Sequence, residues 1–161
     1  MTEFKFTNNE IINDGEIANA RLRADQIDSK DGFIITKSLV GTTATTAANY
    51  GVIFIAPIPC ELISVREIHE TASTSGTLDI ERLQGTEALD AGDSLIVTPI
   101  SLSGTANTVS TKTGSGLTAT KANRILKIGD RLALKDAGTL TNQVGVTVTM
   151  YMRPIGRGGY I

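Results

Sequence analysis

The sequence predicts an all-β protein: a jelly-roll-like antiparallel β-sandwich of eight or nine strands, preceded by an extended N-terminal arm. From about Phe33 to Arg153, threonine, valine and isoleucine dominate short runs punctuated by Gly, Asn, Asp and Ser. Those runs recur at roughly the 8–12-residue spacing of strands in a sandwich or barrel, and they leave no room for a long amphipathic helix. Residues 1–31 differ, holding seven acidic and four basic residues and following neither a helical period nor strand alternation for long. The chain therefore divides into an arm (1–32), a body (33–153) and a flexible C-terminal tail (154–161). With 161 residues, 40% of them hydrophobic, one ordinary core can be buried.

In the arm, Ile12, Ile17, Leu22 and Ile27 recur every five residues. A helix sets residues five apart about 140° from each other and a strand puts them on opposite faces, so neither simple element uses a pentad. A segment winding along a neighbouring chain does, with bends at Asp14-Gly15, Asn19 and Asp25; the alternative is a short helix over residues 14–24. With so little core of its own, the arm needs a partner surface to become ordered.

The first strand of the body is expected over residues 33–40. Residues 51–56 are apolar on both faces, as in a central strand or one beneath a subunit contact, and Pro57 and Pro59 then limit the ladder. Residues 60–71 begin with Ile63 and Val65 in phase and shift to Ile68, which predicts a bulge near Arg66-Glu67. Further strands are expected over 76–83, 94–102, 106–112, 123–127 and 131–135. Ile128-Gly-Asp-Arg131 has the chemistry of a hairpin corner: Gly129 supplies a left-handed position, and the Asp130 side chain can hydrogen-bond the next backbone amides. Beyond it Leu132 and Leu134 point inward, while Arg131, Ala133 and Lys135 point to a solvated face. The clearest strand is 144–152, with Val144, Val146, Val148, Met150 and Met152 on one face and Thr147, Thr149 and Tyr151 on the other. Eight strands is the number of a jelly roll.

Several function classes lose ground on composition. A net charge of −2 and a pI near 5.4 lack the basic surface that supplies most non-specific nucleic-acid affinity, so no nucleic acid is expected as partner. No window approaches eighteen consecutive apolar residues and the first residues lack a basic-then-apolar leader, so no membrane and no Sec-type export signal are expected. Cys60, the single cysteine, can form neither an intramolecular disulfide nor a thiolate cluster. His69, the single histidine, lies near Glu67 and Glu70 and is expected at the surface or a subunit contact; nucleophilic catalysis would need Ser64 or Cys60 presented to it across the sheet.

Three further constellations were open to chemistry. Glu87, Asp90 and Asp93 can offer oxygen ligands to calcium, yet without the EF-hand order, and a polar loop is expected. Asp79 and Glu81 share one strand face about 7 Å apart, a separation found in inverting glycosidases, although Arg66 and Arg82 can simply pair with them. Residues 111–116 read as a hairpin tip rather than a phosphate cradle. Between Gly51 and Met150 the one aromatic residue is Phe54, so stacking platforms for sugars are scarce, with Tyr50 and Tyr151 flanking the body. No catalytic, cofactor-binding or metal-binding residue is assigned, and no cofactor is expected. The expected binding residues are those of the arm: Ile12, Ile17, Leu22 and Ile27.

The order Ile53-Phe-Ile-Ala-Pro57, Cys60-Glu-Leu-Ile-Ser-Val-Arg-Glu-Ile-His69, Gly76-Thr-Leu-Asp-Ile-Glu-Arg-Leu83, Leu126-Lys-Ile-Gly-Asp-Arg-Leu-Ala-Leu134 and Gly145-Val-Thr-Val-Thr-Met150 resembles small virion structural proteins of tailed bacteriophages. Independently, Asp14-Gly-Glu-Ile-Ala-Asn-Ala-Arg-Leu22 is similar to phrases near the attachment ends of phage fibres. The resemblance covers residues 50–153 and implies a jelly-roll body, commonly a homotrimer, that serves as a head decoration, cement or head-fibre component. It carries no site residue across. It implies a non-enzymatic protein on the capsid surface of a virion assembled in the host cytoplasm, with the major capsid protein or another virion protein as partner. The alternative is a tail- or fibre-associated module that binds a host glycan.

Overall fold

The computed structural model describes residues 32–39 and 51–155; the arm pentad, Tyr50 and residues 156–161 lie outside them. The described residues form ten strands: β1 (Phe33–Leu39), β2 (Val52–Ile55), β3 (Cys60–Ile68), β4 (Thr77–Leu83), β5 (Asp93–Ser94), β6 (Ile100–Ser101), β7 (Ser110–Thr113), β8 (Ile125–Leu126), β9 (Arg131–Ala137) and β10 (Val146–Pro154). All pairings are antiparallel. One sheet runs β1-β10-β3-β7 with β8 also on β3, and the other runs β2-β9-β4-β5 with β6 also on β4. This is the antiparallel sandwich of jelly-roll kind that the strand spacing predicts.

Alternation explains the core. On β10, Val146, Val148, Met150 and Met152 are fully buried, while Thr147, Thr149 and Tyr151 face outward, as the period of two demands. They meet Leu78 and Ile80 of β4 and Leu132 and Leu134 of β9 across the sandwich, each such side chain contributing about 1.5–3 kcal/mol by burial. Val144 departs from this face: it precedes the strand, bridges Thr71 and is 45% exposed. β10 runs on through Pro154, and the amide of Ile155 donates to Pro59 O at 2.9 Å.

The bulge lies three residues earlier than the sequence suggests. Tyr151 pairs with Ser64 but Met152 pairs with Leu62, so Ile63 is the extra residue on β3. The inward set is therefore Cys60, Leu62, Val65 and Glu67 rather than Ile63, Val65 and Ile68, since one inserted residue flips the face of all that follows. The expected strand over 94–102 is broken into β5 and β6, each two residues long on β4. Likewise 106–112 shrinks to β7, and 123–127 becomes a 3₁₀ turn (Lys121–Arg124) leading into β8. The 128–131 corner is present: Gly129 takes φ +87°, and Asp130 Oδ2 accepts from the amide of Lys127 behind it at 2.8 Å.

The two sides of the sandwich differ. On one, the rims of both sheets are hydrogen-bonded together: Ile96 bridges Leu117, Val97 N donates to Gly116 O (3.1 Å) and Thr118 N to Leu95 O (3.0 Å). Arg82 reinforces that side from β4, donating to Ala122 O and Ile125 O at 2.9 Å each and pairing with Asp93. The other side is bounded by β1 and β2, the edges of the two sheets, where Phe33 and Phe54 meet with ring centroids 5.8 Å apart.

Candidate functional site

The open side is the first candidate surface. β2 is an edge strand, not a central one, and no described strand pairs with its free edge. Its register slips between Val52 and Phe54, opposite Ala133 and Leu132. That slip places Phe54 inward and both Val52 and Ile55 on the outer face, 46% and 62% exposed. Ile58 and Leu89 are exposed as well, and Ile128, in the corner whose Gly129 amide bonds Ala56 O, is 70% exposed. Natural edge strands are commonly guarded by charge. On β1 Lys37 meets that need, whereas β2 carries no charged residue. The sequence signal was present in the two apolar faces of 51–56; strand neighbours, which decide between centre and edge, were not.

The carboxylates singled out by sequence each have a local partner. Asp79 Oδ1 accepts from Ser94 Oγ at 2.8 Å and from the Ile80 amide. Glu81 is 2% exposed, because residues 84–92 fold over the outer face of its sheet. Its Oε2 accepts from the Asp90 amide at 3.0 Å and its Oε1 lies 3.4 Å from Lys135 Nζ. Arg131 holds the same loop through Gly85 O and Glu87 O, so Ala133 is buried instead of solvated. Asp90 faces Lys135 at 2.7 Å. With Glu81 behind it, Asp90 holds that ammonium above its usual value. Glu87 Oε2 accepts from the Gln84 amide, and Asp93 pairs with Arg82. The three loop carboxylates thus point to three different partners. Among the described residues no group of three His, Cys, Asp or Glu could hold a metal ion.

His69 is a correction: it is buried, not at the surface. Because the bulge turns Glu67 inward, Glu67 and His69 are 1% and 2% exposed, with Glu67 Oε1 2.8 Å from His69 Nδ1. His69 Nε2 lies 3.2 Å from Gly104 O; a carbonyl only accepts, so Nε2 donates. The Nδ1 contact is then made by a protonated Glu67 to a neutral ring, or by a carboxylate to an imidazolium. Burial pushes the Glu67 carboxyl above its ordinary 4.5, against the opposing effect of His69. Glu67 Oε2 and Gln143 Oε1 have no partner. Cys60 is fully buried, and burial with the Asp130 carboxylate pushes its thiol up to about 11. It is therefore not a thiolate nucleophile at neutral pH.

The second candidate surface is the outer face of the first sheet. Thr36 and Ser38 of β1 meet Thr149 and Thr147 of β10 through their hydroxyls, at 3.4 and 3.1 Å. Two adjoining depressions cross this face. Ile34, Ser64 and Tyr151 line one and Ile68, Val109 and Thr147 the other, with Arg66 and Thr149 shared.

No protein-family model matches the chain, and no curated protein matches it. Among solved structures, the fold is similar to a chain of the capsid of Ralstonia phage GP4. The TM-score is 0.52 at 14% sequence identity, over 78% of this chain and 85% of that one. The likeness is one of fold.

Proposed function

We propose that the protein is a non-enzymatic bacteriophage virion protein that decorates and cements the head shell as a homotrimer. The observation that carries this reading is the body shared with a phage capsid chain over more than three quarters of both. In this reading β2 makes the subunit contact: Val52, Ile55 and Ile58 are exposed on an uncharged edge, where a neighbouring strand gains both backbone bonds and apolar burial. The arm, through Ile12, Ile17, Leu22 and Ile27, grips the major capsid protein or another virion protein. Three arms on one trimer raise the effective affinity of individually modest contacts, and binding the assembled shell alone stabilises it.

The host-glycan alternative gains nothing specific from the geometry. The Tyr151 ring lies against Gly32, whose amide donates to its hydroxyl at 3.0 Å. Antibodies against residues 33–153 test the proposal on purified particles of the phage that encodes the chain. Gold label on the heads is expected; label confined to the tail tip or fibres would replace this reading with the glycan-binding one.

A further inference from the structure

We propose that each copy lays its β1 edge against the β2 edge of the next, so that three open sides meet around one axis and Ile34 of one copy packs on Ile55 of its neighbour. The inference rests on reading the protein as a homotrimer with its contact at β2, and adds what covers that edge.

Closure is the first argument. A ring of three repeats one heterologous contact, to which each subunit brings two different patches. Two β2 edges laid on each other make an isologous contact instead, which closes as a dimer. β2 therefore needs an unlike surface on the same chain. Among the described residues the open side has one other strand edge, β1, and the rims of the opposite side are already hydrogen-bonded to each other.

Height is the second. Phe33, at the start of β1, touches Phe54, near the end of β2. The two strands bound one sandwich and lie level where one begins and the other ends, so they run antiparallel. Rotation about an axis along the strands preserves height and direction, so β1 of one copy arrives antiparallel beside β2 of the next with Ile34 close to the level of Ile55. Directly opposed residues in such a pair share a face. Ile34 and Ile55 both point outward, while Ile35 and Phe54 both pack against the core. Setting Ile34 opposite Ile55 and Ile35 opposite Phe54 thus matches both faces.

The third argument is apolar content. Ile34 is the exposed large hydrophobic residue of β1, at 66%, and Ile55 is 62% exposed, with Val52 exposed beside it. Cross-strand contact removes these side chains from water while the two backbone edges satisfy each other. Lys37 lies three residues beyond Ile34 and on the other face of β1, so its charge stays out of this contact.

Disulfide trapping in the full-length protein tests the pairing. Opposed residues have Cα atoms about 4.5–5.5 Å apart, inside the range of about 4.4–6.8 Å that a disulfide bridges. The chain carrying both Ile34→Cys and Ile55→Cys, oxidised with diamide, should close into a covalent trimer on non-reducing electrophoresis, and each single variant should stay uncrosslinked. Within one chain the two side chains leave opposite sheets, which are about 10 Å apart, and Cys60 is buried, so neither diverts the reaction. Ile34→Lys and Ile55→Glu should each lose the trimer in light scattering, and the two together should regain it, because every contact then opposes Lys to Glu. Covalent dimers of Ile55→Cys alone would overturn the proposal in favour of β2 on β2. A wild-type trimer with neither trapping nor charge rescue would overturn the pairing and leave the homotrimer standing, whereas a wild-type monomer would overturn the homotrimer as well.

Discussion

At the scale of single residues, the pair Glu67 and His69 is the most instructive. Burial raises the carboxyl's folded-state value above the 4.5 of an exposed glutamate, so between those two values the folded protein holds more protons than the unfolded one. Stability contributed by Glu67 is therefore full below 4.5 and declines as pH rises through the raised value. Glu67→Gln, which keeps a group able to donate to Nδ1, should flatten that decline in urea unfolding measured at intervals from acid to neutral pH. An unchanged slope would mean the carboxyl is not the group responsible. Arg82 offers the complementary test. It satisfies two backbone carbonyls on the opposite sheet's rim as well as Asp93, and Arg82→Met should cost about 2–3 kcal/mol in the same assay.

At the scale of elements, the two edges of the open side carry the argument. Ile55→Lys places a charge where β2 is already exposed, so folding stability should change by no more than about 0.5 kcal/mol. Light scattering at low micromolar concentration should nevertheless show the proposed trimer falling to monomer. A trimer that survives would remove β2 from the subunit contact. Why the sequence did not show this edge is physical. Alternation along a strand reports which face is buried, so the inward faces Val146 to Met152 of β10 and Leu132 and Leu134 of β9 were legible, while Ala133, covered by the 84–92 loop, was not. Whether a strand lies inside a sheet depends on its neighbours, to which local periodicity is blind. β5 and β6 exist only as two-residue ladders on β4, so their 94–102 run read as one strand. The bulge was expected, but its displacement to Ile63 inverted the face assigned to Glu67, and with it the environment of His69. The carboxylates were recognised as two sets, Asp79 with Glu81 on a strand and Glu87, Asp90 and Asp93 in a loop. The pairing of Glu81 and Asp90 with Lys135 and of Asp93 with Arg82, and the burial of Glu81 beneath its loop, depend on folding the 84–92 segment over the sheet.

At the scale of the whole molecule, one side of the sandwich is sealed by hydrogen bonds between its rims and the other is left with two strand edges, one guarded by Lys37 and one apolar. This asymmetry suits the proposed contact between copies along the open side. The polar clusters around Arg82, Glu81 and Lys135 fasten loops and rims. Adhesion to a larger assembly is the activity proposed for this body. The measurement that tests it most directly is sedimentation of the full-length protein with phage heads prepared without it. The account predicts saturable binding at a fixed number of trimers per head, lost when residues 1–31 are deleted from a body that still folds. Protein that stays in the supernatant at every concentration, or a truncated body that binds as well as the whole chain, would contradict it.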